Sequence, residues 1–506
     1  MIMNKSLRFT LGLGATVLVL AGCAVGPQYQ RPDVDVPAAF KEASMSPEAA
    51  ERWKEAQPSD SLERGRWWAV FHDARLDELE EQAMAANQDL KAAAARVAQA
   101  RALTKDARSG LFPRVDAGFG PTRQRTSNAS QGLSEDASNP PLTLWRAQAG
   151  VSYEVDLFGR VASQVDAATA GAQQYQALFR SVLLALQADV AQAYFLVRRL
   201  DAEKALYRDT VELRKQTLEL IERRYAEGDI SELDVARART ELDSARSESL
   251  GVDRQRAIAE HALAILLGKP PSNFELAPQP LESVAVGIPA GLPSSLLERR
   301  PDIAAAERAM AAANARIGAA KAAFFPRLNI TGTGGYESSQ LSDLFEWSSR
   351  AFLLGPFVGT MLSLPIFDGG QRQAGLDRAR AEYEEEVAIY RQTVLNAFRE
   401  VEDNLSSLRI LGSQTDVQDT AVQSAARAAE LSQIQYREGS TSYLDVIDAD
   451  RAVLQQKRAA VLLYGDRAHA AVNLIRAIGG GWNPVIPDVT TLATDTARLY
   501  SPKFDQ

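Results

Sequence analysis

The chain has 506 residues, 56 basic and 65 acidic, for a formal net charge of −9. That acidic balance gives no electrostatic reason to bind nucleic acid and speaks against a polybasic membrane-surface anchor. The length would suggest three or four globular domains, but a composition rich in Ala, Leu, Gln, Arg and Glu favours long helices, and elongated folds do not follow globular size rules.

The N-terminus reads as an export signal. Lys5 and Arg8 form a basic start, and residues 9–20 form an apolar stretch too short for a spanning helix of about twenty residues. It ends in Leu20-Ala21-Gly22-Cys23, similar to a bacterial lipobox. Cys23 is the only cysteine, so it forms no internal disulfide and is the expected lipidated first residue of the mature chain. Ala24 follows it, with no Asp, a pattern similar to that of lipoproteins sent on to the outer membrane. A single acyl chain binds a membrane only marginally, so further chains or an integral barrel are expected to help. No later apolar run reaches about eighteen residues; if the mature chain spans a membrane, it must do so as a closed β-barrel.

The next element is a helix over about residues 76–111, rich in Ala and stopped by Pro113. Two strands follow. In the first, Val115, Ala117 and Phe119 alternate with polar or small residues; in the second, Ala147, Ala149, Val151, Tyr153 and Val155 alternate with Gln148, Gly150, Ser152, Glu154 and Asp156. Such a strand fits a half-buried soluble sheet as well as a barrel stave with lipid outside and water inside. A long helix without Pro covers about residues 163–226, roughly 95 Å at 1.5 Å per residue. Along it Val182, Leu186, Val190, Ala193, Val197 and Leu200 step by four and three, as a coiled-coil seam does. Gly228 turns the chain, Ser231 caps a return helix with Asp234 at its third position, and that helix runs to about residue 267. Pro270, Pro271, Pro278, Pro280, Pro289 and Pro293 then break any helix.

After this link the chain repeats itself. Asp89-Leu90 recurs as Asp302-Ile303, and Phe112-Pro113-Arg114 as Phe325-Pro326-Arg327, both at an offset of 213. Tyr225, Gly228, Leu233, Asp234 and Val235 recur as Tyr436, Gly439, Leu444, Asp445 and Val446, at an offset of 211. Each half therefore builds the same unit: helix, two strands, long helical hairpin. The second-half strands are expected around Leu328 and Ile330 and around Leu362, Leu364 and Ile366, the hairpin over about 373–437 and on to 478, with Thr441 or Ser442 capping the return helix. Four strands cannot close a useful barrel, but several copies of the chain could. The segments 121–144 and 337–355 are expected as external loops.

The resemblance now becomes specific. Val25-Gly26-Pro27-Gln28-Tyr29-Gln30-Arg31-Pro32, Trp67-Trp68 with Phe71, Leu296-Leu297-Glu298-Arg299-Arg300-Pro301-Asp302-Ile303, Ile366-Phe367-Asp368-Gly369-Gly370 and Tyr443-Leu444-Asp445-Val446-Ile447-Asp448-Ala449 together resemble outer-membrane efflux lipoproteins of the TolC/OprM family. The resemblance covers essentially the whole mature chain. It implies a mainly α fold with a transmembrane β-barrel portion: a duplicated unit, trimeric, with a 12-stranded barrel continuous with a long periplasmic α-helical barrel. It implies a homotrimer in the outer membrane that meets a periplasmic adaptor and an inner-membrane pump and passes small molecules outward. The resulting division is 1–22 signal segment, 23–66 lipidated tail, 67–268 first repeat, 269–291 equatorial linker, 292–479 second repeat and 480–506 C-terminal tail.

The candidate site is the turn of the second hairpin. Asp445 and Asp448 lie three apart on one helix face. By spacing alone they are solvated acids favoured by the helix dipole; the matching family motif implies that they ring a closed periplasmic entrance. Tyr436 is either a core aromatic or, as the resemblance implies, a tie between the closed helices. Gly228 and Gly439 read as turn glycines. Some family members carry an arginine where Thr441 stands, so closure here is expected to depend less on an Arg link. His72, His261 and His469 are scattered and no hydrolase, zinc-protease or phosphate-loop motif stands out, so neither catalysis nor a cofactor beyond the lipid on Cys23 is expected. The competing readings are a duct for type I protein secretion, a lipid-anchored coiled-coil scaffold, and a lipid-anchored hydrolase that lacks a nucleophile motif.

Overall fold

A computed structural model describes residues 25–37, 39–42, 65–281, 299–354 and 362–480. The signal segment, Cys23, most of 43–66, the linker beyond 281, the Leu292–Glu298 part of the motif and the tail beyond 480 lie outside the described residues. The elements are α1 (Ala74–Ala86), α2 (Gln88–Ser109), β1 (Arg114–Gln124), β2 (Leu142–Val155), α3 (Arg160–Ala226), α4 (Glu232–Leu266), α5 (Pro301–Ala322), β3 (Arg327–Ser338), β4 (Arg350–Leu354), β5 (Leu362–Ser363), α6 (Gln371–Arg437) and α7 (Tyr443–Ala477). The duplication holds to the residue in the hairpins: α3 and α6 have 67 residues each, α4 and α7 have 35 each. Among the described residues no helix is long and apolar enough to cross a membrane.

The chain divides into two compact units, one formed by residues up to 32, 98–174 and 306–390, the other by 33–97, 175–305 and 391–506. The first holds an antiparallel sheet in the order β1-β2-β3-β4, with β5 also on β3. Its register sorts the side chains by face. Arg114, Ser152 and Thr331 share one cross-strand row, and Arg146 and Glu337 another, closed by a 2.6 Å ion pair. The other face carries rows such as Val115 with Val151, and Phe119, Ala147 and Tyr336. Period-two alternation thus gives one polar and one apolar face, and Val115, Phe119, Ile330 and Phe352 stay largely exposed.

Two expectations fail here. The fourth strand was placed on Leu362, Leu364 and Ile366, but only Leu362–Ser363 pair, and Ile366 is 91% exposed. Among the described residues most of the pairing on this side of β3 comes from Arg350–Leu354, inside the segment expected as loop, whose Arg350-Ala-Phe-Leu-Leu run has no alternation to betray it. The external loops shrink accordingly to 125–141 and 339–349.

An N-terminal segment lies along one side of α5. Tyr29 donates to Glu307 at 2.6 Å, Asn314 donates to the Pro27 carbonyl at 3.0 Å, and Gly26 abuts Gly318 so closely that a side chain at 26 would strike the Gly318 Cα.

The second unit contains the main core. Trp67, Trp68, Leu76, Leu79, Leu90, Phe179, Tyr194, Leu200 and Leu263 form a continuous buried cluster, each large side chain stabilising the fold by about 1.5–3 kcal/mol. Asp73 caps α1 by accepting from the Arg75 and Leu76 amides and also accepts the Tyr194 hydroxyl at 2.5 Å; burial pushes the Tyr194 phenol up to about 12. The expected single helix over 76–111 is two helices, broken at Asn87 and ending at Ser109. Asn87 leaves helical conformation with ψ 131°, accepts from the Leu90 amide at 2.9 Å and donates to the Leu266 carbonyl at 3.0 Å. Its side chain thus caps α2 and ties it to the end of α4.

Candidate functional site

The two hairpin turns are built alike. Gly228 and Gly439 adopt φ +83° and +74°, conformations that only glycine enters at no cost. Nothing lies within 4 Å of where their side chains would start, so dihedral angle rather than space requires glycine. In the first turn the Gly228 amide donates to Tyr225 and the Asp229 amide to Arg224; in the second Gly439 donates to Tyr436 and Ser440 to Gln435. The hydrogen bonds repeat at the same offset as the residues.

The caps differ. Ser231 stands at the N-cap of α4, but its hydroxyl turns to the Asp234 carboxylate at 3.0 Å instead of to the backbone. Ser442 forms a complete capping box: its hydroxyl accepts from the Asp445 amide while its own amide donates to Asp445 Oδ2 at 3.0 Å. The same oxygen accepts from Thr441 at 2.6 Å and from the Ser442 hydroxyl at 2.7 Å. These donors, Thr441 foremost, hold the Asp445 carboxyl below its ordinary range. Asp448 is 63% exposed and, among the described residues, pairs only with Arg451, at 3.5 Å. Both carboxylates are therefore presented together, unburied, on the first turns of α7.

Behind them the two turns pack together. Ile221 and Val235 of the first hairpin join Tyr443, Val446 and Ile447 of the second in one apolar cluster, with Tyr436 against it. The Tyr436 ring lies 5.7 Å from that of Tyr443 and 5.3 Å from the Arg224 guanidinium, a cation–π contact. Burial raises the phenol pKa of Tyr436, and that of Tyr443 to about 12. Tyr436 is therefore a packed aromatic at the junction of the two hairpins.

One group was missed. Glu241 of α4 is almost fully buried between Arg214 of α3, at 3.0 Å, and Arg451 of α7, at 2.5 Å. Seven residues along each helix a second layer repeats it, with Tyr207, Glu248 and Arg458. That heptad spacing of opposite charges was the available signal. Among the described residues no cluster suited to a metal is found.

Comparison with known proteins completes the picture. The family model described as outer membrane efflux protein matches twice, over residues 79–269 and 292–480, once on each repeat. The chain belongs to the outer membrane efflux protein family: it is an outer-membrane channel component of efflux systems, a transporter and not an enzyme. The toluene efflux pump outer membrane protein TtgC of Pseudomonas putida is 34% identical over 511 residues, covering 99% of this chain and all of that protein. A membrane protein from Pseudomonas aeruginosa superimposes with TM-score 0.81 at 33% identity, over 92% of this chain and 99% of its own. The open state of the Neisseria gonorrhoeae MtrE outer membrane channel gives TM-score 0.76 at 29% identity, over 91% and 99%.

Proposed function

We propose that three copies of this chain close a twelve-stranded barrel in the outer membrane and conduct small molecules passively from a periplasmic adaptor and inner-membrane pump to the exterior. The observation that carries this is the sheet. It has one polar face, one apolar face and four strand positions, since β4 and β5 lie one after the other along the same side of β3, and among the described residues its outer strands pair on one side only. Unpaired edges are not tolerated in lipid, so closure must come from other copies; the apolar face then meets lipid and the polar face lines water. The lipid on Cys23 adds an anchor, the repeats act as the units 67–268 and 292–479, and no other cofactor is needed. The toluene pump served by the related TtgC points to solvents and drug-like molecules as cargo, with selection made at the pump.

The entrance is gated by Asp445 and Asp448. Three copies bring six carboxylates into one constriction, which narrows the path and favours cations there. Crowding of like charge makes bound cations or protons part of the closed state. Tyr436 and Thr441 hold the turn that presents them.

Single-channel conductance in planar bilayers tests this, comparing wild type with Asp445→Ala/Asp448→Ala. A small cation-selective conductance that rises and loses selectivity in the variant supports duct and gate together. An unchanged variant keeps the duct and moves the gate. Silent, verified trimers would instead favour the scaffold reading.

A further inference from the structure

At the foot of the sheet, α5, β3 and the start of α6 enclose an open cleft of about 790 Å³, the size of a drug-like ligand site. Four arginines line it: Arg316, Arg327, Arg372 and Arg378. Arg372 is committed to structure, donating to Asp368 and to the Pro365 carbonyl, each at 2.6 Å. The others are available. Arg378 is 80% exposed and reaches Glu382 only at 3.6 Å. Arg316 and Arg327 are exposed and have no ion pair within 4 Å among the described residues; Glu386 is the acid that faces Arg316 at longer range. The rest of the lining is five alanines, Ala319, Ala320, Ala323, Ala374 and Ala379, with Pro365, Gly375 and Gln371 and two carboxylates, Asp368 beside Arg372 and Glu382 beside Arg378.

One placement ties this cleft to the polar face of the sheet, and a second sets it apart from the N-terminal segment. Arg327 opens β3 in the same alternation as Asn329, Thr331 and Thr333, the polar face of the sheet. Arg316 follows Glu307 by nine residues, two and a half turns of helix. It therefore points away from the side of α5 that carries Tyr29 and Pro27.

We infer that this cleft is a transit site for amphiphilic organic anions, solutes with an apolar body and a sulfonate or carboxylate, held by Arg316 and Arg327 with Arg378 at the rim. The fork of a guanidinium matches such oxyanions in two-point hydrogen bonding, and the alanine wall accepts the apolar body. The inference rests on the channel reading, in which the polar face lines the pore. It adds a task for that pore: a basic station on its water-lined face that holds acidic solutes.

The test uses full-length trimers, checked by heat-modifiable migration, with naphthalene-1-sulfonate as probe and uncharged 1-naphthalenemethanol as control. In equilibrium dialysis R316Q/R327Q should weaken sulfonate binding by about tenfold or more, R316K/R327K should restore part of it, and the alcohol should bind both forms alike. In bilayers the sulfonate should reduce wild-type current reversibly, with half-block moved upward by a similar factor in R316Q/R327Q, while block by cobalt hexammine stays unchanged. Sulfonate binding equal in wild type and variant, or an equal loss for the alcohol, overturns the site. Silent wild-type trimers overturn the channel reading instead, and the dialysis still decides whether the site exists.

Discussion

The hydroxyl of Thr441 donates to Asp445 Oδ2 at 2.6 Å, so the residue that stands where the family resemblance implies an arginine in some members holds the charge of the proposed gate carboxylate directly. Its hydrogen bond is the largest cause of the lowered Asp445 pKa. A carboxylate held below its ordinary range keeps its charge further into acid, and loses both charge and the associated stability as pH falls through that lowered value. Thr441→Val should therefore move the acid-side loss of cation preference to higher pH, toward the ordinary carboxylate range near pH 4. Reversal potentials between about pH 3 and 7 measure this, and identical midpoints in both proteins would show that Thr441 does not set the charge.

Glu80 makes the opposite case. It is fully buried in α1, and neither carboxylate oxygen has a hydrogen-bond partner among the described residues. Burial first, and the neighbouring Asp77 second, push its pKa well up. A raised carboxyl pKa favours the fold below the unfolded value near 4.3, and that contribution is lost as pH rises toward the folded value. Glu80→Gln keeps the shape without the proton to lose. Thermal unfolding of the variant should match wild type near pH 4 and exceed it by several degrees at pH 8, with the gap widening steadily between.

Both sites show what a linear chain discloses. The hairpins were legible because two signals coincide, an apolar seam and a glycine at the turn, and the second copy repeated both. Asn87 was hidden, since a polar residue inside a helical pattern reveals its capping role only once the Leu266 carbonyl stands beside it. The β4 segment was hidden because an apolar run without alternation reads equally as loop or buried strand. In the sequence Thr441 is a possible cap and a departure from the arginine that the resemblance implies in some members; its hydrogen bond depends on a turn geometry that residue type does not specify. Glu241 was passed over because its partners lie 27 and 210 positions away, and only helix packing brings them together.

That trio supplies a test of how the hairpins are joined. Arg214 is 12% exposed and donates to both the carboxylate and the carbonyl of Glu241, whereas Arg451 is 56% exposed. Removing Arg214 leaves the buried Glu241 carboxylate with the half-exposed Arg451 alone, a loss that approaches the roughly 3–5 kcal/mol of a buried charge without its partner; an exposed partner contributes less than about 1 kcal/mol. Arg214→Ala should therefore lower the unfolding midpoint markedly, and Arg451→Ala only slightly. Chemical unfolding of the purified protein in detergent compares them, and equal losses would mean that Arg451 carries far more of the join than its exposure allows.

The last test lies in the sheet, where two adjacent glycines answer to different constraints. An added side-chain carbon at Gly335 would overlap the Ala147 carbonyl oxygen across the β2–β3 pairing, whereas at Gly334 the nearest atom is Phe352 Cβ, at 4.0 Å. The first obstacle is backbone and cannot rotate away, so Gly335→Ala must push two paired strands apart, at about 1–3 kcal/mol. The second site is ordinary van der Waals space, where a methyl group on the apolar face is accommodated. In the proposed trimer that cost is incurred three times around one closed barrel, so it falls on assembly as well as on the protomer. Gly335→Ala should reduce the amount of heat-modifiable trimer in outer membranes several-fold, and Gly334→Ala should leave it near wild type. Equal yields from the two variants would mean that the β2–β3 pairing yields locally and that glycine at 335 is not required by the close approach of the strands.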